Sequence, residues 1–396
     1  MITIDDIKHL SISLGAETIA MRRHLHAYPE LSFEEKDTSL FIKSVLDKLE
    51  IPWQPMAGTG AVGIIEGALP GGRTIALRAD MDALPILEKN TATYSSTRPG
   101  IMHACGHDAH TASLLTTAAI LQRLRPKFSG TIKLIFQPGE EVLPGGASLL
   151  IQEGVLNSPR PDFIVGQHVD PRLPAGTIAL RYGAFMASMD QLRFTVKGKG
   201  GHGAQPHTLT DPVYAAAQIV IGLQHIVSRK ANPTSPTVLS IGRFIADGAV
   251  NVIPNEVTME GTLRCFDETW RVDAHEWIRR TAASIAEASG AVCEVDITVG
   301  YPVLINHKDV TECVRTAAGA YLGDAHVNEA AIWTAAEDFA SYSQQIPGCF
   351  YLLGVGNEEK GITSGLHTPY FNIDEEVLLE APGLMAWTAL ELLKKN

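Results

Sequence analysis

The chain has 396 residues, of which 45% are hydrophobic, so it is too long for one ordinary domain and we expect two. Lysine and arginine number 32 against 44 acidic residues, and this balance disfavours nucleic acid and anionic membranes as partners. With no signal-peptide pattern, no apolar run near the ~18 residues that span a bilayer, and only five cysteines without paired spacing, we expect a soluble cytoplasmic protein lacking a disulfide framework.

The first predicted element is a helix that begins after Ser32. The residues from Ser32 to Glu35 have the form of a capping box, in which the first and last side chains would bind backbone N–H groups at the start of a helix. An apolar face with helical spacing follows, made of Leu40, Phe41, Val45, Leu46 and Leu49.

Further along the chain, short apolar runs alternate with helix-like stretches such as Thr111–Leu124. This alternation predicts a largely parallel sheet. Three of the runs end in charged or imidazole side chains: Thr74–Leu77 before Asp80 and Asp82, Thr131–Phe136 before Glu140 and Glu141, and Phe163–Val165 before His168. Ligands of open α/β sheets bind at the carboxyl ends of the strands, so these side chains predict a site at that edge.

The pattern changes near residue 185. The predicted order there is strand, helix, strand, strand, helix, strand: Leu192–Val196, 211–228, Thr237–Phe244, Glu256–Cys265, 268–289 and Val292–Val299. That order is the split βαβ, or ferredoxin-like, arrangement. The alternation of helices and strands then resumes, with a helix at 309–322, a strand at Phe350–Gly354 and a closing helix at 375–394.

These elements predict an α/β fold with one domain inserted into another. Residues 1–184 and 298–396 would form a mainly parallel-sheet domain, and residues 185–297 an inserted α+β domain.

The densest group of metal-binding side chains lies between His103 and His110, where three imidazoles, one thiol and one carboxylate occur together. Gly106 allows the backbone to bend so that Cys105 and His107 can face one point. A thiolate with imidazoles suits zinc or another borderline transition metal. The alternative interpretation is a buried structural cysteine beside surface histidines.

The adjacent acids Glu140 and Glu141 point in different directions, so they cannot have the same role. One can bind a metal while the other accepts a proton from water; a solvated acidic turn is the alternative. His168 and His367 carry little meaning alone. Together with Cys105, His107 and Glu141, they would make two metal sites if one ligand bridged the ions.

A series of motifs runs in order over nearly the whole chain: 22–26 with 29–31, 78–85, 102–110, 136–141, 166–169, 200–204, 251–255, 336–339 and 366–368. In this order they resemble the M20 metallopeptidase clan, in particular its amidohydrolase branch of aminoacylase-like enzymes, hippurate hydrolases and plant auxin–amino acid conjugate hydrolases.

The resemblance implies two divalent metal ions per chain, for which zinc, manganese, cobalt and nickel are all suitable. It implies that Cys105 bridges the ions, that His107 and His168 bind one, and that Glu141 and His367 bind the other. Glu140 would be the general base in metal-dependent hydrolysis of the amide bond of a small N-acyl amino acid. Asp82 would support the metal ligands without itself binding an ion.

The inserted domain resembles the family's lid and dimerisation domain, which implies a homodimer. His202 would reach a catalytic site, that of the partner subunit, and stabilise the oxyanion of the tetrahedral intermediate. Asn251 would help to hold the substrate carboxylate or acyl carbonyl.

Two other functions remain open from the sequence. A dipeptidase of the same clan would differ in accepting a free α-amino group, and no carboxylate placed for that group can be located. A metal- or peptide-binding relative without turnover is disfavoured by Glu140, because a pure binder has no use for a base beside the metal.

Overall fold

The computed structural model describes residues 2–394, which divide into two compact units. The first contains residues 2–183, 305–332 and 338–394, and the second contains residues 184–304 and 333–337. The second unit therefore interrupts the first, and it also takes in five residues that lie well beyond it in the sequence.

The described residues form nine helices: α1 Ile4–Ala27, α2 Lys36–Lys48, α3 His107–Leu124, α4 Gly146–Gln152, α5 Pro212–His225, α6 Glu268–Ala288, α7 Lys308–Leu322, α8 Ala340–Ser343 and α9 Ala381–Lys394. They also form sixteen strands: β1 Trp53–Met56, β2 Gly60–Glu66, β3 Leu69–Asp80, β4 Ser129–Gln137, β5 Phe163–Pro174, β6 Ile178–Leu180, β7 Gly183–Met186, β8 Asp190–Lys197, β9 Gly201–His202, β10 Thr237–Ile245, β11 Val252–Ile253, β12 Glu256–Cys265, β13 Val292–Val299, β14 Leu304–Asn306, β15 Val327–Glu329 and β16 Gly348–Gly356. No helix within residues 2–394 combines the length and apolar character needed to cross a membrane.

The first unit is built on an eight-stranded sheet with the order β1-β2-β4-β3-β5-β16-β6-β15. The four central strands, β4, β3, β5 and β16, are mutually parallel, whereas β1 and β2 add antiparallel pairs at one edge. Helix α3 packs against the sheet on one side and against α1 and α9 on others, so nearly all of its side chains are buried. The predicted α/β fold with a mainly parallel sheet is confirmed.

The long helix α1 was not predicted from the sequence. It begins at a capping box of its own, in which Thr3 Oγ1 accepts from the N–H of Asp6 at 3.2 Å and the Asp6 carboxylate accepts from the N–H of Thr3 at 3.0 Å. The helix carries Arg22 and His26 into the interior, where both contact the Asp108 carboxylate at 2.8 Å.

The predicted helix after Ser32 exists as α2, but the capping box predicted for it is wrong. The helix begins at Lys36, and the side chain at its cap, Glu35, binds no N–H group of the helix's first turn. The Ser32 hydroxyl instead donates to Asp82 at 2.7 Å, and the Glu35 carboxylate accepts from the N–H of Gly139 at 2.9 Å. These two side chains therefore serve contacts distant in sequence.

The second unit has a four-stranded antiparallel sheet with the order β10-β12-β8-β13. Helices α5 and α6 pack on one another and against this sheet. Side chains alternate along β8, so that Leu192, Phe194 and Val196 are buried against the helices. Asp211 and Asp267 cap the two helices by accepting from backbone N–H groups in their first turns.

Candidate metal centre

The site lies where the central parallel strands of the first unit end. Asp80 is the last residue of β3, Glu140 follows β4, and His168 is part of β5. Because these strands are parallel neighbours, their carboxyl ends meet at one edge of the sheet. The first turn of α3 brings His107 to the same edge.

The five predicted metal ligands lie together. Cys105 Sγ is 3.3 Å from His168 Nε2 and 3.3 Å from His367 Nε2. Glu141 Oε1 is 3.3 Å from His367 Nε2 and 3.9 Å from His107 Nε2. Two triads, one with His107 and His168 and one with Glu141 and His367, share Cys105, and within each the ligand atoms lie within 4.8 Å of one another.

The backbone between the cysteine and α3 depends on glycine. Gly106 has a φ of 82°, in the left-handed region that favours glycine. A Cβ atom at this position would lie 2.3 Å from the Val169 side chain. No larger residue would therefore let Cys105 and His107 face the same point.

The protonation of the ligands reflects their burial. Burial and the Glu141 carboxylate raise the pKa of the Cys105 thiol well above its usual value. Burial lowers the pKa of His168 well below its usual value. Burial also acts to lower the pKa of His107, but the neighbouring Asp80 and Asp82 carboxylates raise it to about 10. A metal ion bound here would displace protons from Cys105 and His107.

The donor atoms fit a metal ion. His107 Nε2 is buried and has no hydrogen-bond partner. The other ring nitrogen of His107 lies 3.0 Å from Asp82 Oδ1, and His168 Nδ1 lies 2.7 Å from the Val169 carbonyl oxygen. These contacts keep both Nε2 atoms directed at the cluster, as in histidine ligands of protein-bound metals.

Asp82 connects three parts of the site. Beyond His107, its carboxylate accepts hydrogen bonds from the Ser32 hydroxyl at 2.7 Å and from the N–H of Glu141 at 3.0 Å. One buried carboxylate thus fixes the orientation of His107 and the backbone position of Glu141. Glu140, with only 6% of its surface exposed, forms a further group with His107 and Glu141, whose possible ligand atoms lie within 4.8 Å of one another.

Sequence reasoning missed a buried ionic network behind the ligands. Arg78 in β3 is fully buried and contacts Asp80 at 2.6 Å and Asp338 at 2.7 Å. Asp80 also contacts His110 Nδ1 at 2.6 Å. Asp80, His107 and His110 form another possible metal-binding group, but two of its members already bind each other. The available signal was an arginine directly after the apolar run 75–77 of β3.

The other two predicted site residues, His202 and Asn251, belong to the second unit and lie side by side there. His202 is in β9, which pairs with β11, and the N–H of Gly203 donates to the Asn251 carbonyl oxygen at 2.9 Å. Both residues are exposed. The N–H of Ala204 donates to His202 Nδ1 at 3.1 Å, which places the ring hydrogen on Nε2.

These features define a class of protein. A model of peptidase family M20/M25/M40 matches residues 76–390, more than half of the chain. The chain belongs to this family and is a hydrolase.

Individual relatives cover most of the chain. It is 44% identical over 308 residues to an N-acyl-L-amino acid amidohydrolase of Geobacillus stearothermophilus, covering 78% of this chain and 82% of the relative. It is 40% identical over 364 residues to thermostable carboxypeptidase 1 of Saccharolobus solfataricus, covering 91% of each. A solved Bacillus subtilis structure, described as a dinuclear metal-binding peptidase of the M20 family, superposes with a TM-score of 0.84 at 37% identity and covers 97% of this chain and 99% of that one.

Proposed function

We propose that the protein hydrolyses the amide bond of small N-acyl amino acids with the help of two divalent metal ions. The observation that carries this proposal is the pair of ligand triads that share the buried Cys105, with a further buried carboxylate, Glu140, beside them. The similarity to an N-acyl-L-amino acid amidohydrolase supports the substrate class.

His107 and His168 would hold one ion, Glu141 and His367 the other, and the Cys105 thiolate both. The mixture of thiolate, imidazole and carboxylate suits zinc, manganese, cobalt or nickel better than calcium or magnesium, which prefer oxygen. Bound divalent ions would supply Lewis-acid activation of water and of the amide carbonyl.

Glu140 would act as the general base. It is buried next to the ligands, and, unlike Glu141, it is not part of either triad that contains Cys105. In this role it accepts a proton from the attacking water and later donates it to the departing amine nitrogen.

We propose the second unit as the lid and dimerisation domain of a homodimer, in which His202 would serve the catalytic site of the partner subunit. The ring hydrogen on His202 Nε2 makes this atom a donor suited to the oxyanion of the tetrahedral intermediate. Asn251, adjacent to it, would hold the substrate carboxylate or acyl carbonyl.

A second candidate function, peptide hydrolysis, is favoured by the similarity to a thermostable carboxypeptidase. Both candidate substrates contain an amide whose nitrogen belongs to an amino acid with a free carboxylate. They differ in whether the other part is an acyl group or an amino acid with a free amine.

The test is turnover of N-acetyl, N-benzoyl and indoleacetyl amino acids and of dipeptides by the metal-reconstituted protein, each with and without chelator. Chelator-sensitive cleavage of the N-acyl set is expected, and cleavage of dipeptides alone would assign the protein to the peptidases. Glu140→Gln should retain metal and fold but lose turnover by several orders of magnitude. The control is Glu359→Gln, at an exposed acid. Near-normal turnover in Glu140→Gln would remove Glu140 from the base role.

A further inference from the structure

The loop that carries Glu140 is held from both sides by buried carboxylates. On the C-terminal side, the N–H of Glu141 donates to Asp82 at 3.0 Å. On the N-terminal side, the N–H of Gly139 donates to Glu35 Oε1 at 2.9 Å. The position of Glu140 is thus set by the hydrogen bonds of its two neighbours in sequence.

Glu35 is itself firmly placed. It is fully buried, and its Oε1 also accepts from the N–H of Phe33 at 2.8 Å, while its Oε2 accepts from the Thr59 hydroxyl at 2.6 Å. Burial raises the pKa of Glu35, so its surroundings do not favour the charged form. The hydrogen bonds require an acceptor oxygen at the end of a side chain as long as that of glutamate.

Packing around Gly139 also fixes the position of the loop. Gly139 has a φ of 58°, and a Cβ atom there would lie 2.4 Å from the Phe33 ring, so the segment before α2 lies directly against this glycine. The carbonyl oxygen of Gly139 accepts from the N–H of Gly146 at 2.9 Å. Both backbone polar groups of Gly139 are therefore bound, and Glu35 supplies one of the two contacts.

We propose that Glu35 is a positioning residue for Glu140, which acts by holding the N–H of Gly139 while Asp82 holds that of Glu141. This inference rests on the proposed role of Glu140 as general base. The Glu35 carboxylate accepts hydrogen bonds from Phe33, Thr59 and Gly139, and its effect on Glu140 passes through the backbone of the loop. Its loss should lower kcat rather than metal content, because Asp82 continues to fix Glu141.

Two substitutions at Glu35 distinguish the effect of side-chain length from the effect of charge. Glu35→Gln keeps the length of the side chain and an oxygen for Gly139, and its amide can donate to the Thr59 hydroxyl. Glu35→Asp keeps the charge but is one methylene too short to reach Gly139. Glu34→Ala, at the exposed acid one position earlier, is the matched control.

The first measurement is steady-state turnover of the best N-acyl amino acid substrate by the metal-loaded full-length variants. We expect Glu35→Asp to lower kcat by about 10²-fold with little change in KM, as misplacement of a catalytic group by about 1 Å can do. Glu35→Gln and Glu34→Ala should retain most of kcat. Equal losses in the Asp and Gln variants, or no loss in either, would overturn the proposal.

The second measurement needs no turnover. Amide hydrogen exchange of the peptide containing residues 138–142, recorded on metal-free protein, should be faster in Glu35→Asp than in the wild type and near wild type in Glu35→Gln. Unchanged exchange in Glu35→Asp would refute the proposal. If the wild type cleaves no substrate while exchange changes as expected, the proposed activity fails and the contact to Gly139 stands.

Discussion

The substitution Asp82→Asn should weaken metal binding although Asp82 is not itself one of the proposed ligands. The carboxylate accepts from Ser32 and from the N–H of Glu141 at Oδ2 and lies 3.0 Å from His107 Nδ1 at Oδ1. Asparagine replaces one of these oxygens with a donor NH₂ group. Whichever way the amide turns, that donor faces either the His107 ring or two other donors.

The expected magnitude follows from the role of this contact. Loss of the partner that orients a metal-binding histidine lowers metal affinity by about 10–100-fold, which corresponds to about 1.4–2.8 kcal/mol. Part of this effect comes from the N–H of Glu141, because a buried donor without a partner costs about 1–3 kcal/mol.

The measurement is competition for zinc with a chromophoric chelator, which gives the dissociation constants of wild type and variant. Asp190→Asn is the matched control, because Asp190 is also a buried aspartate that contacts a histidine, His275, at 2.6 Å, but belongs to the second unit. The control should lower stability and leave zinc affinity unchanged. Wild-type zinc affinity in Asp82→Asn would show that His107 needs no orienting partner.

Three further predictions concern other parts of the chain. His202→Ala should lower kcat by about 10²–10³-fold at unchanged metal content, and an unchanged kcat would exclude an oxyanion donor in the second unit. Burial alone would raise the pKa of Asp190, but the hydrogen bond with His275 helps to lower this pKa from 3.8 to about 2. This carboxylate therefore stabilises the fold above about pH 4, and its contribution is lost as the pH falls through about 2. Acid unfolding followed by circular dichroism should show this loss in the wild type and not in Asp190→Asn. Gly139→Ala should lower the free energy of unfolding in urea by about 1–3 kcal/mol, because its Cβ would meet the Phe33 ring, and an unchanged midpoint would contradict this packing.

Much of the fold could be predicted because the relevant signals are local. The apolar runs before Asp80, Glu140 and His168 form strands, and their parallel order follows from the helices between them. The alternation of side chains in β8 likewise predicts a sheet with one buried face. The convergence of Asp80, Glu140 and His168 at one edge then follows from the order of the strands in the sheet.

What the sequence could not give depends on contacts between distant residues. The capping box at Ser32 has the right local pattern, but Asp82 and Gly139 offer its side chains better-placed partners. Similarly, α1 carries Arg22 into the interior, and the distant carboxylates of Asp108 and Glu375 explain why that charge can be buried.

The spacing of the metal-binding residues along the chain has a consequence during synthesis on the ribosome. Cys105, His107, Glu141 and His168 emerge first, then the strands and helices of the second unit, and His367 only near the end. Because the sheet of the second unit is contiguous from β8 to β13, it can fold while the first unit still lacks its last strand, β16. The nascent chain can therefore complete only one of the two proposed triads until translation has almost finished, and binding of both proposed ions would have to wait until close to release.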